Sequence, residues 1–201
     1  AQISIPSSVT SIGNGAFYKC SRLTQISIPP FITSIGNFVF YGCSSLTQII
    51  FEVPSFITSI GNNAFYGCSA LTKISIPSSV NEIGNNAFYE CSALTKISIP
   101  SSVTSFGNNI FIGIKTLEII GDIKYIPDKL FSKCSSLTQI TIPSSVTSIG
   151  NDAFNGCSRL AQITIPSSVI SIGNNAFNGC FSLIQIIIPS NVTLIGNYAF
   201  N

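Results

Sequence analysis

Apolar and polar positions follow one another in a fixed order that returns about every 23 residues along the whole chain. The order reads L-x-x-I-x-I-P-x-x-V-x-x-I-G-N-x-A-F-x-x-C, with small or polar residues at most of the remaining positions. A repeat of this length is typical of a solenoid, in which each unit buries its apolar side against the units before and after it. The repeat therefore predicts a stack of similar coils.

The leading Leu of the motif divides the chain into nine units of one array, which we treat as a single domain. We expect the array to continue in a longer protein, because the chain begins and ends partway through a unit. The third unit is two residues longer through an insertion at 51–53, and the sixth is three residues shorter. The units are 1–22, 23–45, 46–70, 71–93, 94–116, 117–136, 137–159, 160–182 and 183–201.

The first segment of each unit has the spacing of a short strand. In the second unit, Ile26 and Ile28 alternate with polar residues, which places both side chains on one face of a strand. Pro29 then ends the strand, because proline has no N–H to give to a ladder.

The rest of the unit predicts two further segments. Ile32 and Ile35 indicate a second inward-facing turn or strand, and the following Gly-Asn pair indicates a turn. Val39, Phe40 and Cys43 have spacings that favour one helical or 3-10 turn. Coils of this kind, stacked at about 4.8 Å per unit, bury their apolar sides continuously.

Composition narrows the possible functions. The net charge is +2, only 8% of residues are charged and no run of Lys or Arg occurs, so no nucleic-acid partner is expected. No stretch reaches 18 apolar residues, so no membrane insertion is expected. The apolar share of 45% is too high for a disordered chain.

The seven cysteines occupy one position of the motif, directly after Phe-x-x, and Ile114 replaces a cysteine in the fifth unit. Their number is odd, and thiols in register on stacked coils point the same way, which argues against disulfide bonds. No C-x₂₋₄-C pair is present, so a zinc site is not expected. We therefore predict a buried column of unreactive thiols and no metal or other cofactor.

The chain has few residues that could take part in catalysis. The chain contains no histidine, so a Ser-His or Cys-His pair is impossible. The acidic residues occur mostly once per unit, and a carboxylate pair at Glu118 and Asp122 is the one arrangement that stays open. We predict that the protein is not an enzyme.

The motif resembles a known family. The stretch LTKISIPSSVNEIGNNAFYECSA at 71–93 is similar to the BspA-like, or Treponema-type, leucine-rich repeat of bacterial surface antigens. The resemblance covers essentially the whole chain, apart from IIGDIKYIPDKLF at 119–131. It implies an α/β repeat solenoid: a right-handed leucine-rich-repeat coil with a parallel strand face, a short second segment and short helical or 3-10 turns.

The resemblance also implies a function. Members of the family look like surface or secreted proteins that are implicated in adhesion to host cells or matrix proteins. The chain is then a non-enzymatic protein-recognition or adhesion module, cell-surface or extracellular, with a macromolecular partner that is a protein. Two alternatives stay open: a cytoplasmic scaffold, and a structural protein that self-associates end to end through open strand edges.

One candidate binding surface is the strand face that points away from the core. Its outward positions carry mainly Gln, Lys, Ser and Thr, and we also place Ile119 on it by alignment. The alternative is a plain solvated sheet face. The residues of this face that we select as partner-binding candidates are Lys73, Lys96, Gln139 and Gln162.

Two departures from the motif supply the other candidates. Phe31 and Phe56 replace Ser in adjacent units, which predicts an exposed apolar patch or else local packing around the insertion. In the charged sixth unit, Lys124, Tyr125 and Asp128 form a candidate contact site, and drift at a tolerant coil is the alternative. We expect backbone groups near Gly121 and Pro127 to lose their regular ladder partners.

Overall fold

A computed structural model describes residues 2–201 as a parallel-strand solenoid, in which each unit makes one turn around an apolar core. Most units supply one strand from their first segment and one two-residue strand from their second. In chain order, the strands are β1 (Gln2–Ser4), β2 (Gln25–Ile28), β3 (Ser34–Ile35), β4 (Gln48–Phe51), β5 (Ser59–Ile60), β6 (Lys73–Ser75), β7 (Glu82–Ile83), β8 (Lys96–Ser98), β9 (Ser105–Phe106), β10 (Thr116–Ile120), β11 (Tyr125–Ile126), β12 (Gln139–Thr141), β13 (Ser148–Ile149), β14 (Gln162–Thr164), β15 (Ser171–Ile172) and β16 (Leu194–Ile195).

The first segments stack into parallel sheets on one side of the coil. Their order is β1-β2-β4 and β6-β8-β10-β12-β14, with an interruption at the insertion of the third unit. Pairing follows the repeat, so that Ile74 lies beside Ile97 and both are buried. The strand predicted from the Ile-x-Ile alternation is confirmed.

The second segments stack on another side of the coil. They form two parallel sheets of order β3-β5-β7-β9 and β11-β13-β15-β16. In most units the second residue of the strand has its side chain in the core. Ile60 and Ile83 are examples. The interruption here falls between the fifth and sixth units.

The segment that carries Val39, Phe40 and Cys43 in the second unit, and its equivalents in the other units, form the third side of the coil. The repeat solenoid is confirmed, but the helical or 3-10 turn predicted for this segment is wrong. No helix occurs within residues 2–201. The N–H of Phe65 donates to the carbonyl of Ala87 in the next unit (2.9 Å), whereas the N–H of Tyr66 donates within its own turn to Asn63 (3.2 Å). Left-handed φ angles at Asn63 (55°) and Gly67 (69°) allow this alternation. In the regular units, every second N–H on this side thus joins one unit to the next, which a helix would not permit.

The core is built of columns that run along the stack. A phenylalanine column extends from Phe17 to Phe200, and successive rings are stacked with centroids 5.1–5.9 Å apart. Columns of Leu, Ile, Val and Cys pack beside it, and no buried polar side chain occurs among the described residues. Apolar burial is therefore continuous from unit to unit, and it supplies the main stabilising free energy.

A second column lies at the corner after the second segment, where every unit except the sixth has Gly-Asn. The N–H of Asn85 donates to Oδ1 of Asn62 in the preceding unit (2.7 Å). A Cβ atom on Gly84 would lie 2.7 Å from the backbone nitrogen of Asn62, so the close approach of units excludes a side chain here. The Asn column is thus a structural cap for each successive corner.

Candidate functional site

The strand-face candidates lie where the sequence predicts them. Lys73 pairs beside Lys96, and Gln139 pairs beside Gln162, with all four exposed on the outer surface of the first sheets. Lys96 forms an ion pair with Glu118 at 3.0 Å. Both side chains are almost half exposed, so the pair contributes at most about 1 kcal/mol.

The sixth unit does not place Ile119 on this face, and that part of the expectation is wrong. Glu118 lies beside Lys96, Ile119 lies beside Ile97, and Ile119 is only 1% exposed. Glu118 therefore occupies the outward position, because β10 has slid along the sheet relative to the position that alignment of the units gives it.

A groove opens on the strand face at the insertion. The ladder is interrupted between β4 and β6, and the cavity there has a volume of about 600 Å³. Its lining includes the apolar residues Ile50, Phe51 and Val53 and the basic residue Lys73. The structure thus joins one strand-face candidate to an apolar groove that sequence reasoning did not identify, although the insertion marked its place.

The aromatic patch consists of Phe31 and Phe56. Their side chains are 57% and 49% exposed, and the rings stack with centroids 6.2 Å apart. The inserted Phe51, by contrast, is partly buried against the core. The structure therefore brings the two predicted residues together as an exposed pair.

The charged residues of the sixth unit have separate environments. Tyr125 and Asp128 line the same cavity, of about 470 Å³, whereas Lys124 is exposed beside it and does not contribute to its lining. Asp128 Oδ1 accepts a hydrogen bond from the N–H of Asn151 (2.7 Å), and its Oδ2 accepts one from Asn151 Nδ2 (3.3 Å). Asp128 thus takes the place of Asn in the corner column.

The two carboxylates that the sequence left open as a pair have different partners. Glu118 is paired with Lys96. Asp122 accepts hydrogen bonds from the hydroxyl (2.8 Å) and the N–H (2.7 Å) of Ser101, and these bonds lower the pKa of its carboxyl group. Each carboxylate is therefore held by a contact with the fifth unit.

The second-side sheets are interrupted between the fifth and sixth units, and we call this gap the split. No Cα atom of β9 lies within 8 Å of a Cα atom of β11, whereas paired strands are about 4.8 Å apart. The split therefore separates two otherwise regular stacks on the second side of the coil.

Pro127 explains much of the split. Elsewhere, the N–H of the corner Gly donates to the preceding unit, as Gly107 does to Ile83 O and Gly150 does to Ile126 O. Pro127 stands at this corner in the sixth unit and has no N–H. Its ring also occupies a position where even a Cβ atom would collide with the preceding corner, as the 2.7 Å distance at Gly84 shows.

A shortened corner adds to the effect. Successive phenylalanines of the core column are 23 residues apart from Phe65 to Phe111, but Phe111 and Phe131 are only 20 apart. From Thr116 onward, pairing with the next unit again follows a spacing of 23. The three residues are therefore missing from the corner between Phe111 and Thr116, where the buried Ile114 packs.

The cysteine column is buried as predicted, with Cys20 of the first unit half-buried. The thiol of Cys91 donates to the carbonyl of Phe65 (3.1 Å). Burial raises the pKa of Cys91 to about 12 and that of Cys43 to about 11, which disfavours the reactive thiolate.

A tyrosine column borders the phenylalanine column. Tyr18, Tyr41, Tyr66 and Tyr89 stack with successive centroids 4.9, 4.6 and 4.7 Å apart. Burial, followed by the neighbouring tyrosines, raises the pKa of the Tyr66 hydroxyl. Since the rings cover one another, this column acts first as a structural stack.

Within residues 2–201, no group of three or more His, Cys, Asp or Glu side chains is placed to hold a metal ion. The same part of the chain has no helix with the length and hydropathy needed to cross a membrane.

Comparisons with known proteins agree with this geometry. A leucine-rich repeat protein from Eubacterium ventriosum is 28% identical with a TM-score of 0.62, and the match covers 100% of this chain and 64% of that one. A leucine-rich repeat protein of T. pallidum is 28% identical with a TM-score of 0.61, over 92% of this chain and 78% of that one. The pneumococcal vaccine antigen PcpA, 22% identical with a TM-score of 0.52 over 97% of this chain and 68% of that one, shares the fold.

No curated protein matches the chain. The family described as the BspA type leucine rich repeat region matches residues 1–118 and 124–201 in 6 copies, and its gap falls in the sixth unit, where the strand has slid. The regular coil, its in-register columns and this match together show that the chain belongs to the BspA type leucine-rich repeat family.

Proposed function

We propose that the protein is a non-enzymatic recognition or adhesion module of a cell-surface or secreted protein. We further propose that a protein partner binds the strand face, the outer surface of the first-segment sheets, which we call the first-sheet face. The chain belongs to a repeat family whose fold is a general protein-binding scaffold and is typical of bacterial surface proteins. The chain spans about 64% of the Eubacterium ventriosum protein, so the function of a whole relative is not transferred to it.

The observation that carries the proposal is the continuity between the strand face and the insertion groove. Lys73 belongs to both the row of exposed polar side chains and the lining of the apolar groove. A polar surface next to an apolar recess supplies the charge and buried area that protein interfaces combine. The regular row itself lacks the convergent, unlike groups of a small-molecule pocket.

The aromatic patch of Phe31 and Phe56 supports the same function at a second position. Large exposed aromatic side chains are enriched at protein interfaces and provide most of the binding free energy at a few sites. A stacked pair with both rings about half exposed is available to a partner without rearrangement of the core.

Binding to a panel of immobilised matrix proteins, measured by biolayer interferometry, tests this proposal. Lys73→Glu should weaken binding of a matrix protein by about tenfold, since central contacts contribute about 1–2 kcal/mol. Lys19→Glu is the matched control, because it makes the same charge change on the third side of the coil. Equal binding by the two variants would contradict the assignment of the first-sheet face.

A further inference from the structure

The split leaves two strand edges without partners. In the fifth unit, the N–H groups of Thr104 and Gly107 donate to the preceding unit at 3.0 and 2.7 Å, so that side of the strand is fully paired. On the opposite side, the carbonyls of Thr104 and Phe106 accept no hydrogen bond from any residue between 2 and 201. The equivalent carbonyls of regular units each accept one, as those of Lys124 and Ile126 do in the sixth unit.

The facing edge belongs to the sixth unit. Lys124 is the residue of the sixth unit equivalent to Thr147, whose N–H donates to the preceding unit, but the N–H of Lys124 has no acceptor among the described residues. Pro127 offers no N–H at all. Unpaired backbone groups on a strand edge are a template for pairing with another extended chain.

The split is wider than the spacing of two paired strands, as the insertion of a further strand requires. The Cα atoms of β9 and β11 are all more than 8 Å apart, and two successive strand spacings amount to about 9.6 Å. A concave surface of about 470 Å³ extends from Thr104 and Phe106 over β11, β13 and β15 to Leu194, and the split opens onto this surface.

The side chains around the split indicate what kind of segment would fit. Phe106 occupies the core-facing position of one edge and is partly exposed, and Tyr125 occupies the outward position of the other and is 38% exposed, so apolar side chains on the two faces of an inserted segment can contact one each. Asp128 is the charged residue of the cavity lining, which favours a basic group at that end. Neither feature suits an anionic partner such as a nucleic acid.

We propose that the split binds an extended peptide segment of a partner protein, which adds one parallel strand between β9 and β11. The peptide N–H groups donate to the carbonyls of Thr104 and Phe106, and a peptide carbonyl accepts from the N–H of Lys124. This site is on the second side of the coil, so it is separate from the first-sheet face and does not depend on it.

A labelled peptide tests the proposal directly. The sequence SSVTSIGNK reproduces residues 144–151, whose N–H groups at Thr147 and Gly150 perform this pairing in the seventh unit, with a Lys added for Asp128. Its affinity is measured by fluorescence anisotropy. The control peptide SSVTSIPNK lacks one of the two N–H donors, and it should bind about tenfold more weakly because a carbonyl of the edge is left unpaired.

Two protein variants locate the peptide. Pro127→Gly restores the corner N–H and removes the ring, so the units can pair with each other and peptide affinity should fall about tenfold or more. Pro143→Gly, at a regular corner of the seventh unit, should leave the affinity unchanged. Circular dichroism and thermal unfolding check that both variants are folded.

Hydrogen exchange gives a measurement that needs no variant. Bound peptide should slow the exchange of the Lys124 amide, while amides of the first-sheet face keep their rates. Absence of binding at millimolar peptide, equal affinity for the two peptides, or protection only at other amides would each overturn the proposal. A dimer that forms without peptide and slows exchange of the Lys124 amide would mean that the split binds a second copy of this chain. That result would also overturn the proposal.

Discussion

Two neighbouring contacts in the same stack differ sharply. Between the sixth and seventh units, Tyr125 pairs with Ser148, and the N–H of Gly150 donates to Ile126 O at 2.8 Å. Between the fifth and sixth units, Pro127 stands at the corner and the strands of the second side are more than 8 Å apart. A proline ring without an N–H and a corner three residues shorter thus accompany the loss of the ladder between two units.

The core does not show the same interruption. Phe111 and Phe131 stack across the split with centroids 5.2 Å apart, the same distance as Phe131 and Phe154 in the regular stack. Apolar stacking and backbone pairing are therefore separable in this fold. The first can be continuous where the second is broken, because dispersion and burial do not need a fixed hydrogen-bond register.

The largest expected effect comes from removing a ring of the core column. Phe88→Ala should lower the free energy of unfolding by about 3–5 kcal/mol, through lost burial and the cavity that remains. Phe111→Ala at the split should cost a similar amount, because Phe111 is also buried and stacks on the rings of both neighbouring units. Urea unfolding checks both, and Lys73→Ala, expected within about 0.5 kcal/mol, is the control.

A smaller effect is expected from a methyl group at a regular corner. Gly84→Ala should destabilise by about 1–3 kcal/mol, because the new Cβ atom meets backbone of the preceding unit. Gly13→Ala should be nearly neutral, since nothing lies within 4 Å of its added Cβ. If the two variants had similar urea midpoints, the corner would tolerate a side chain. The ring of Pro127 could then not be what keeps the fifth and sixth units apart.

The corner column predicts an effect of about 1 kcal/mol. Asp128→Ala removes the acceptor of the Asn151 N–H and should destabilise by about that amount, as Asn62→Ala should in the regular stack. Asp128→Asn keeps an acceptor oxygen and should stay within about 0.5 kcal/mol. If Asp128→Asn lowered the stability measured by thermal unfolding as much as Asp128→Ala, the negative charge of Asp128 would contribute more to stability than its hydrogen bond to the N–H of Asn151.

The smallest effect belongs to the surface ion pair beside the split. Lys96→Ala should change the free energy of unfolding by less than about 1 kcal/mol, because Lys96 and Glu118 are both solvated. A double-mutant cycle with Glu118→Ala, measured in low and high salt, gives the coupling. A coupling above this value that persists in high salt would mean that the pair helps to fix the shifted register of β10.

Periodicity predicted the parts of the fold that depend on burial. Ile74, Phe88 and Cys91 are buried because their positions recur in every unit and have no alternative environment. The third side could not be predicted in the same way. Its apolar spacing fits a helical turn, and only the neighbouring unit, which accepts every second N–H, prevents one.

The sequence predicted parts of the candidate site only where its residues depart from the repeat motif. The exchange of Ser for Phe at Phe31 and Phe56, and the exchange of Gly for Pro at Pro127, marked the aromatic patch and the split. Alignment could not show where the three missing residues had been removed, so Ile119 was placed on the wrong face. Which exposed residues bind a partner depends on the partner's surface, which no property of this chain specifies.

The alternating hydrogen bonds of the third side have a mechanical consequence. Tension applied along the stack loads the ladders of all sides in parallel wherever the units are regular, so each regular step resists separation with many bonds at once. At the split, the second side offers no ladder and the load falls on the Phe111–Phe131 contact and the pairing of β8 with β10. Under stretching, this step should yield first and divide the array into two blocks that each unravel later.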